Sequence, residues 1–317
     1  MRSQNDLIRA VNKLLPPHVY PDVIRRYADL ESLVAKLLAP AGYNATILIG
    51  NPGNGKSTPF ERALRDANAK GGSAPLAIST THNTAHGLYT WAYDNLDRLL
   101  VLDDDRALLK DKKVVNVLMG LGDTRPGGKR MTWNSSNGAM RKAGIPTFFS
   151  TQSRLVIINN SIQAAATVLD ALADRANIVL FDPPPAELHA HAPWADPEIY
   201  GFVGKNLQMM PYASFRWYFR AAEKKAHGED WRAWLVGTWM RDPSLKLFVM
   251  VQNDSAFRTV AERVEQFIQL GKLEYIPASR ATYFRIAKAY PRLVGERAAP
   301  TGSAPATAVC SECVTEK

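Results

Sequence analysis

The chain has 317 residues, of which 46% are hydrophobic and 22% charged, the composition of a globular protein with one large domain and one or two smaller ones. No apolar run approaches the roughly 18 residues of a membrane span, and the opening MRSQNDLIRAVNKLL lacks the apolar stretch and cleavage site of a signal peptide, so a cytoplasmic protein without a membrane partner is expected. The net charge of +9 favours polyanionic partners, because each Lys or Arg set against a phosphate releases a counterion.

In chain order, residues 1–40 read as a helical N-terminal segment, broken at Pro16 and Pro17, with apolar positions at helical spacing. Residues 41–185 alternate apolar runs with amphipathic segments. ATILIG, PLAIST, RLLVLDD, RLVIINN and ANIVLFD are expected strands, with helical patterns between most of them. That alternation predicts an α/β fold, a three-layer parallel sheet covered by helices. Residues 186–245 read as a helical lid rich in tryptophan, with Trp217, Trp231, Trp234 and Trp239. Residues 246–295 form a second compact helical stretch, and 296–317 a disordered, proline-containing tail. Cys310 and Cys313 both fall in that tail; one CxxC is half of a zinc site and supports no disulfide framework.

Between the first two expected strands, GNPGNGKS from Gly50 to Ser57 satisfies G-x-x-x-x-G-K-[ST] in full. Gly50, Asn51, Pro52, Gly53, Asn54, Gly55, Lys56, Ser57 and Thr58 are the expected nucleotide-binding residues. Glycines let consecutive N–H groups turn inward around phosphates, and the following helix presents its positive end to them. Lys56 would reach the β- and γ-phosphates of ATP, and the Ser57 hydroxyl would bind Mg²⁺. Pro59 is tolerated because the first helical turn has no intrahelical partner for its missing N–H.

LLVLDDD, Leu99 to Asp105, supplies the acids that a phosphate loop needs on a neighbouring strand. Asp103 is expected to hold the metal through water and Asp104 to polarise the attacking water. Asn159 and Asn160 end the next apolar strand, where an amide can orient that water or the γ-phosphate. His82 and His86, which flank the helix after PLAIST, have no cysteine or carboxylate at metal-site spacing, and they and His189 and His191, in a proline-rich loop, read as structural.

Taken together, these motifs resemble those of the AAA+ ATPases over roughly residues 40–240. The resemblance implies that Asn160 is the sensor-1 residue, with Asn159 as the fallback. It implies that Arg175, just before the fifth strand, is an arginine finger that serves a neighbouring subunit, and therefore a homo-oligomer, a ring or filament. In the lid, PYASFRWYFRAAEKKAHGEDW resembles a sensor-2 helix, with Arg216 facing the phosphates. One departure stands out: the family usually has Glu after the metal-binding Asp, and Asp104 is shorter by one methylene.

The segment GDTRPGGKRMTWNSSNGAMRKAGIPTFFSTQSR is long for a plain connection. It resembles the β-hairpin insertion of AAA+ helicases and related DNA-handling ATPases. Lys129, Arg130, Arg141 and Lys142 would then follow a DNA backbone, with Trp133 available for stacking. RTVAERVEQFIQLGKLEYIPASRATYFRIAKAY reads as helix, turn, helix and resembles a helix-turn-helix module. Ser279 is its natural N-cap, Phe284 and Ala287 face inward, and Arg280, Thr282, Tyr283, Arg285 and Lys288 remain free for DNA. The function expected is ATP-dependent work on DNA, as in replication helicases or helicase loaders of mobile elements, with a replication protein as a further partner. Two alternatives stay open. One is an ATP-switched DNA-binding factor of the transposition-targeting kind. The other is a protein-remodelling ATPase without DNA contact, for which Leu88, Tyr89 and Trp91 of THNTAHGLYTW would form the pore loop.

Overall fold

The structure, a computed structural model, describes residues 8, 11–71, 74–80, 84–104, 108–124, 128–133, 142, 144–160, 171–239, 242–254 and 256–289. The chain divides into two compact units, residues 1–239 and 240–317.

The first unit is built on a six-stranded parallel sheet. Its strands are β1 (Asp22–Ile24), β2 (Ala45–Gly50), β3 (Leu76–Ser79), β4 (Leu99–Asp103), β7 (Arg154–Asn159) and β8 (Asn177–Phe181), in the order β1-β8-β2-β7-β4-β3. All five expected strands are present. The edge strand β1 was not expected, because Asp22–Ile24 is three residues long and carries no alternation to read. β2 is buried at all six positions, and β4 and β7 are almost as closed. Such continuous apolar strands belong to a sheet covered on both faces.

The crossovers place the helices. Right-handed connections put α1 (Tyr27–Leu38) and α2 (Thr58–Ala69) on one face, because β1→β2 and β2→β3 run in the same direction across the sheet. α3 (Ala85–Asp94) and α4 (Lys112–Leu121) follow connections in the opposite sense and lie on the other face. In keeping with this, α1 packs on α2, and α3 packs on α4. Ile47, Ile49, Leu100, Leu102, Leu155, Ile157, Ile178 and Leu180 form one side of a core closed by Leu88, Tyr89, Val114, Val117 and Leu118 of α3 and α4. These are the three layers expected.

Between α4 and β7 the chain makes an antiparallel hairpin, β5 (Lys129–Thr132) with β6 (Phe148–Thr151). After β8 come α5 (Pro185–Ala190), α6 (Pro197–Lys205), α7 (Arg216–Ala226) and α8 (Trp231–Trp239). Asp196 caps α6 by accepting from the Glu198 and Ile199 N–H groups, and its carboxylate also holds Lys225 of α7 at 2.8 Å. Trp217 of α7 lies against Trp234 and Trp239 of α8, which accounts for the tryptophan-rich segment.

The second unit is three mutually packed helices, α9 (Pro243–Asn253), α10 (Val260–Leu273) and α11 (Arg280–Ala289). The boundary expected after residue 245 falls inside α9; the division comes at Trp239–Met240. Phe248, Phe267 and Tyr283 make the aromatic centre. Thr259 and Glu262 form a reciprocal capping box, and Ser279 caps α11 by accepting from Thr282 N–H, the role expected of it. No helix among the described residues is long and apolar enough to cross a membrane.

Candidate functional site

β2 ends at Gly50, and the glycine-rich loop that follows leads into α2, with Pro59 in its first turn. Gly53 and Gly55 have φ of +75° and +80°, a region L side chains rarely adopt. A Cβ on Gly53 would also lie 2.4 Å from Ser214 Oγ and 2.8 Å from Arg216 Cγ, so the loop and the start of α7 meet without space for a methyl group.

Lys56 is 6% exposed. Its Nζ donates to Gly50 O (2.8 Å), Asn51 O (2.9 Å), Asn54 Oδ1 (3.2 Å) and Asn160 Oδ1 (3.1 Å), so three ammonium protons are shared among four acceptors. Burial lowers its pKa to about 8, against the pull of the Asp103 and Asp104 carboxylates and with help from the Arg216 guanidinium.

Pairing of β4 with β7 sets Asp103 opposite Ile158, and pairing of β2 with β7 sets Ile49 opposite Asn159. β7 thus lies between β2, which leads into the glycine-rich loop, and β4, which ends in the acids, and its end delivers Asn160 between them. Burial raises the Asp103 pKa, while the Ser57 hydroxyl, donating to its carboxylate, and the nearby Lys56 ammonium oppose the rise. Asp104 has φ +55° and donates its N–H to Ile158 O at 3.0 Å. Its Oδ1 accepts from Asn160 Nδ2 at 2.7 Å. Asn160 therefore bridges Lys56 and Asp104. The Asn159 amide oxygen is taken by the Asn160 N–H. The cleft so formed encloses about 360 Å³ and is lined by Gly53–Thr58, Asp103, Asp104, Ile158–Asn160 and, from the start of α7, Phe215, Arg216 and Phe219.

Glycines at positive φ, a buried lysine and a Ser–Asp pair fit a nucleoside triphosphate with Mg²⁺. Sequence reasoning missed Phe215, Phe219 and Tyr27. The i,i+4 spacing of Phe215 and Phe219 around Arg216 was a readable signal; nothing local marked Tyr27, which reaches the loop from 27 residues upstream. Its hydroxyl donates to Asn54 O at 2.7 Å.

Arg175 lies elsewhere. It precedes β8 by two residues, and β8 begins opposite Thr46, so Arg175 sits at the strand-starting edge of the sheet. The glycine-rich loop is at the opposite edge, about 13 Å along β2 at 3.3 Å per residue. Arg175 Nη1 donates to Ala171 O at 2.8 Å.

Several expected nucleic-acid contacts need correction. Lys129 is 4% exposed, donates to Ser153 O, and has its pKa lowered to about 8, chiefly by burial. Strand alternation turns it inward and Arg130 outward, so only one of the two neighbours faces solvent. Trp133 is half-buried, its ring against His86 and Tyr89. Lys142 is exposed, and Arg141 lies outside the described residues. In α11, Tyr283 is 1% exposed and accepts from Gln252 Nε2, whereas Phe284 is 44% exposed, the reverse of the expected facing. Arg280, Arg285 and Lys288 are exposed and Thr282 half-buried.

The proposed pore loop is also corrected. Residues 85–94 are helix α3, Leu88 and Tyr89 are fully buried, and Trp91 packs on the core. His189 stacks on Tyr200 and shares a hydrogen bond with Tyr218, and His191 lies 4.3 Å from the Tyr27 ring. His82 and the cysteines Cys310 and Cys313 fall outside the described residues.

No family model matches this chain, and no curated protein matches it. Among solved structures it is similar to that of the Aeropyrum pernix Orc1 protein in complex with DNA, at 16% identity and a TM-score of 0.38. That likeness covers 90% of this chain and 87% of the other.

Proposed function

We propose that this chain is an ATPase of the AAA+ type that assembles with copies of itself and works on DNA, as a helicase or helicase loader does. The observation that carries this reading is the convergence of Lys56, the Ser57–Asp103 pair, Asp104, Asn160 and Arg216 on one cleft, from four separate segments of chain.

In the proposed reaction Lys56 exchanges its backbone acceptors for the β- and γ-phosphate oxygens. Ser57 and Asp103 would hold Mg²⁺, which when bound supplies positive charge against the phosphate oxygens. Asn160 and Asp104 orient a water, Asp104 takes its proton as the water oxygen attacks the γ-phosphorus, and ADP leaves. Arg216 adds charge from the lid. Arg175, remote from its own cleft, serves a neighbour's. Exposed Arg130, Lys142, Arg280, Arg285 and Lys288 supply the phosphate-backbone contacts, and helices α10 and α11 the helix-turn-helix-like module.

A second reading is supported by Asp104 itself. A carboxylate one methylene short, at positive φ and tied to Asn160, favours slow turnover, as an ATP-switched DNA-binding factor needs. Burial of Leu88 and Tyr89 removes the support for a protein-remodelling pore loop.

The deciding experiment is steady-state ATPase activity with and without single- and double-stranded DNA at two salt concentrations, with Lys56→Ala as control. Stimulation by DNA that weakens with salt is expected of a motor or loader. Hydrolysis that is slow even with DNA, while ATP alters DNA affinity, would favour the switch. Robust hydrolysis indifferent to DNA would sink both.

A further inference from the structure

Two carbonyl groups of the phosphate loop are claimed by donors outside it. Gly53 O accepts from the Phe215 N–H at 2.7 Å, at the start of lid helix α7. Asn54 O accepts from the Tyr27 hydroxyl at 2.7 Å, at the start of α1. In a trans peptide unit the C=O and the following N–H point in opposite directions. Fixing Gly53 O on the lid therefore turns the Asn54 N–H the other way, and fixing Asn54 O on Tyr27 does the same to the Gly55 N–H.

Tyr27 is itself held firmly. It is 8% exposed, and its N–H donates to Glu187 Oε1 at 3.0 Å. Its ring meets Phe181 edge-on at 5.2 Å and lies 4.3 Å from His191 and 5.9 Å from Phe215. The ring so held places the hydroxyl against the loop carbonyl.

We propose that Tyr27 and the first N–H of the lid helix are positioning groups for the phosphate chain of a nucleoside triphosphate, holding the Asn54 and Gly55 N–H groups aimed into the loop before it arrives. This rests on the ATPase reading above. A free glycine-rich loop pays conformational entropy to line up its donors at each binding event. A loop whose peptides are already turned does not. Tyr27 touches no phosphate; it acts through the Asn54–Gly55 peptide. The arrangement also makes phosphate affinity depend on docking of both the N-terminal segment and the lid.

The test uses the full-length chain, with MgATP as the probe. Tyr27→Phe keeps the ring and removes the hydroxyl. Expected is a five- to tenfold weaker Kd by calorimetry, about the effect of losing one hydrogen bond. KM should rise by the same factor with kcat unchanged, the pattern of lost uniform binding. Circular dichroism should match that of the native chain. Phe215→Pro removes the second donor at a residue whose φ of −66° proline adopts, and Phe215→Leu removes the ring alone. The Pro variant should bind ATP several-fold more weakly than the Leu variant, which keeps the test valid if Tyr27→Phe does not fold. Tyr27→Phe binding ATP as the native chain does, while Lys56→Ala does not, overturns the proposal and leaves the ATPase reading standing. A fall in kcat at unchanged Kd also overturns it. A native chain that binds no ATP removes both.

Discussion

Lys56 is a cation that its buried setting treats poorly. It is buried, its pKa is near 8, and its acceptors are mostly neutral carbonyls. A triphosphate beside it favours the ammonium form and raises that pKa. At pH 8 the free protein has the group about half deprotonated, so nucleotide binding is expected to take up about half a proton. By pH 6.5 the amine is charged before binding and the uptake should vanish. Calorimetric titration with MgATP in buffers of different ionisation enthalpy reads this directly; Lys56→Met should abolish any uptake that remains with residual binding. The same depressed pKa has the opposite consequence for folding. The unfolded chain binds more protons between pH 8 and the ordinary lysine value, so this group's contribution to the stability of the nucleotide-free protein rises with pH across that window. The residue's candidacy as a phosphate ligand was legible from G-x-x-x-x-G-K-S, because that spacing constrains a local loop. Its bond to Asn160 was not, since the two are 104 residues apart and meet only through β2–β7 pairing.

At the scale of elements, the hairpin and the second unit sort their charged residues in ways that mutation can separate. β5 turns Lys129 into the protein and Arg130 out, and α11 turns Tyr283 in and Arg285 and Lys288 out. If α11 lies against DNA, Arg285→Ala and Lys288→Ala should each lower affinity and reduce the slope of log K against log salt by about one unit. Lys129→Gln should leave DNA affinity unchanged. Tyr283→Phe should act on stability: it takes an acceptor from Gln252, whose amide oxygen in turn holds Arg263 at 3.1 Å. A buried donor left unpaired costs about 1–3 kcal/mol. Affinity by fluorescence anisotropy and unfolding by denaturant would read the two classes apart. The reversal of Tyr283 and Phe284 shows why helix patterns blur here. Both are apolar enough to face inward, and the choice is set by Phe248 and Phe267, which lie across the bundle.

At the scale of the whole molecule, Arg175 and the cleft lie at opposite edges of one sheet, so a role for Arg175 in hydrolysis needs a second chain. Lys56→Ala and Arg175→Ala are each expected to be inactive alone. Mixed, they should regain ATPase activity, because the Lys56→Ala chain can lend its Arg175 to the intact cleft of the other. Activity per chain should also rise with protein concentration. No recovery on mixing, with Arg175→Ala as active as the native chain, would remove the finger assignment and the argument for assembly that depends on it.

What the sequence determined by itself is what local spacing and continuous burial can encode. The glycine-rich loop depends on glycines and a lysine within eight residues, and the five main strands are mostly apolar because both faces of the sheet are covered. Asp103 and Asp104 were readable because an apolar strand runs straight into them. The tertiary structure alone decided which groups meet. The insertion of β7 between β2 and β4 brings Asn160 onto both Lys56 and Asp104. The parity of β5 buries Lys129, and the chain's return past β8 sets Tyr27 on the loop carbonyl. Strand order and register are sums of many long-range contacts, each weak in sequence. Short polar–apolar pairs such as Lys129–Arg130 carry no information about which member the core will take.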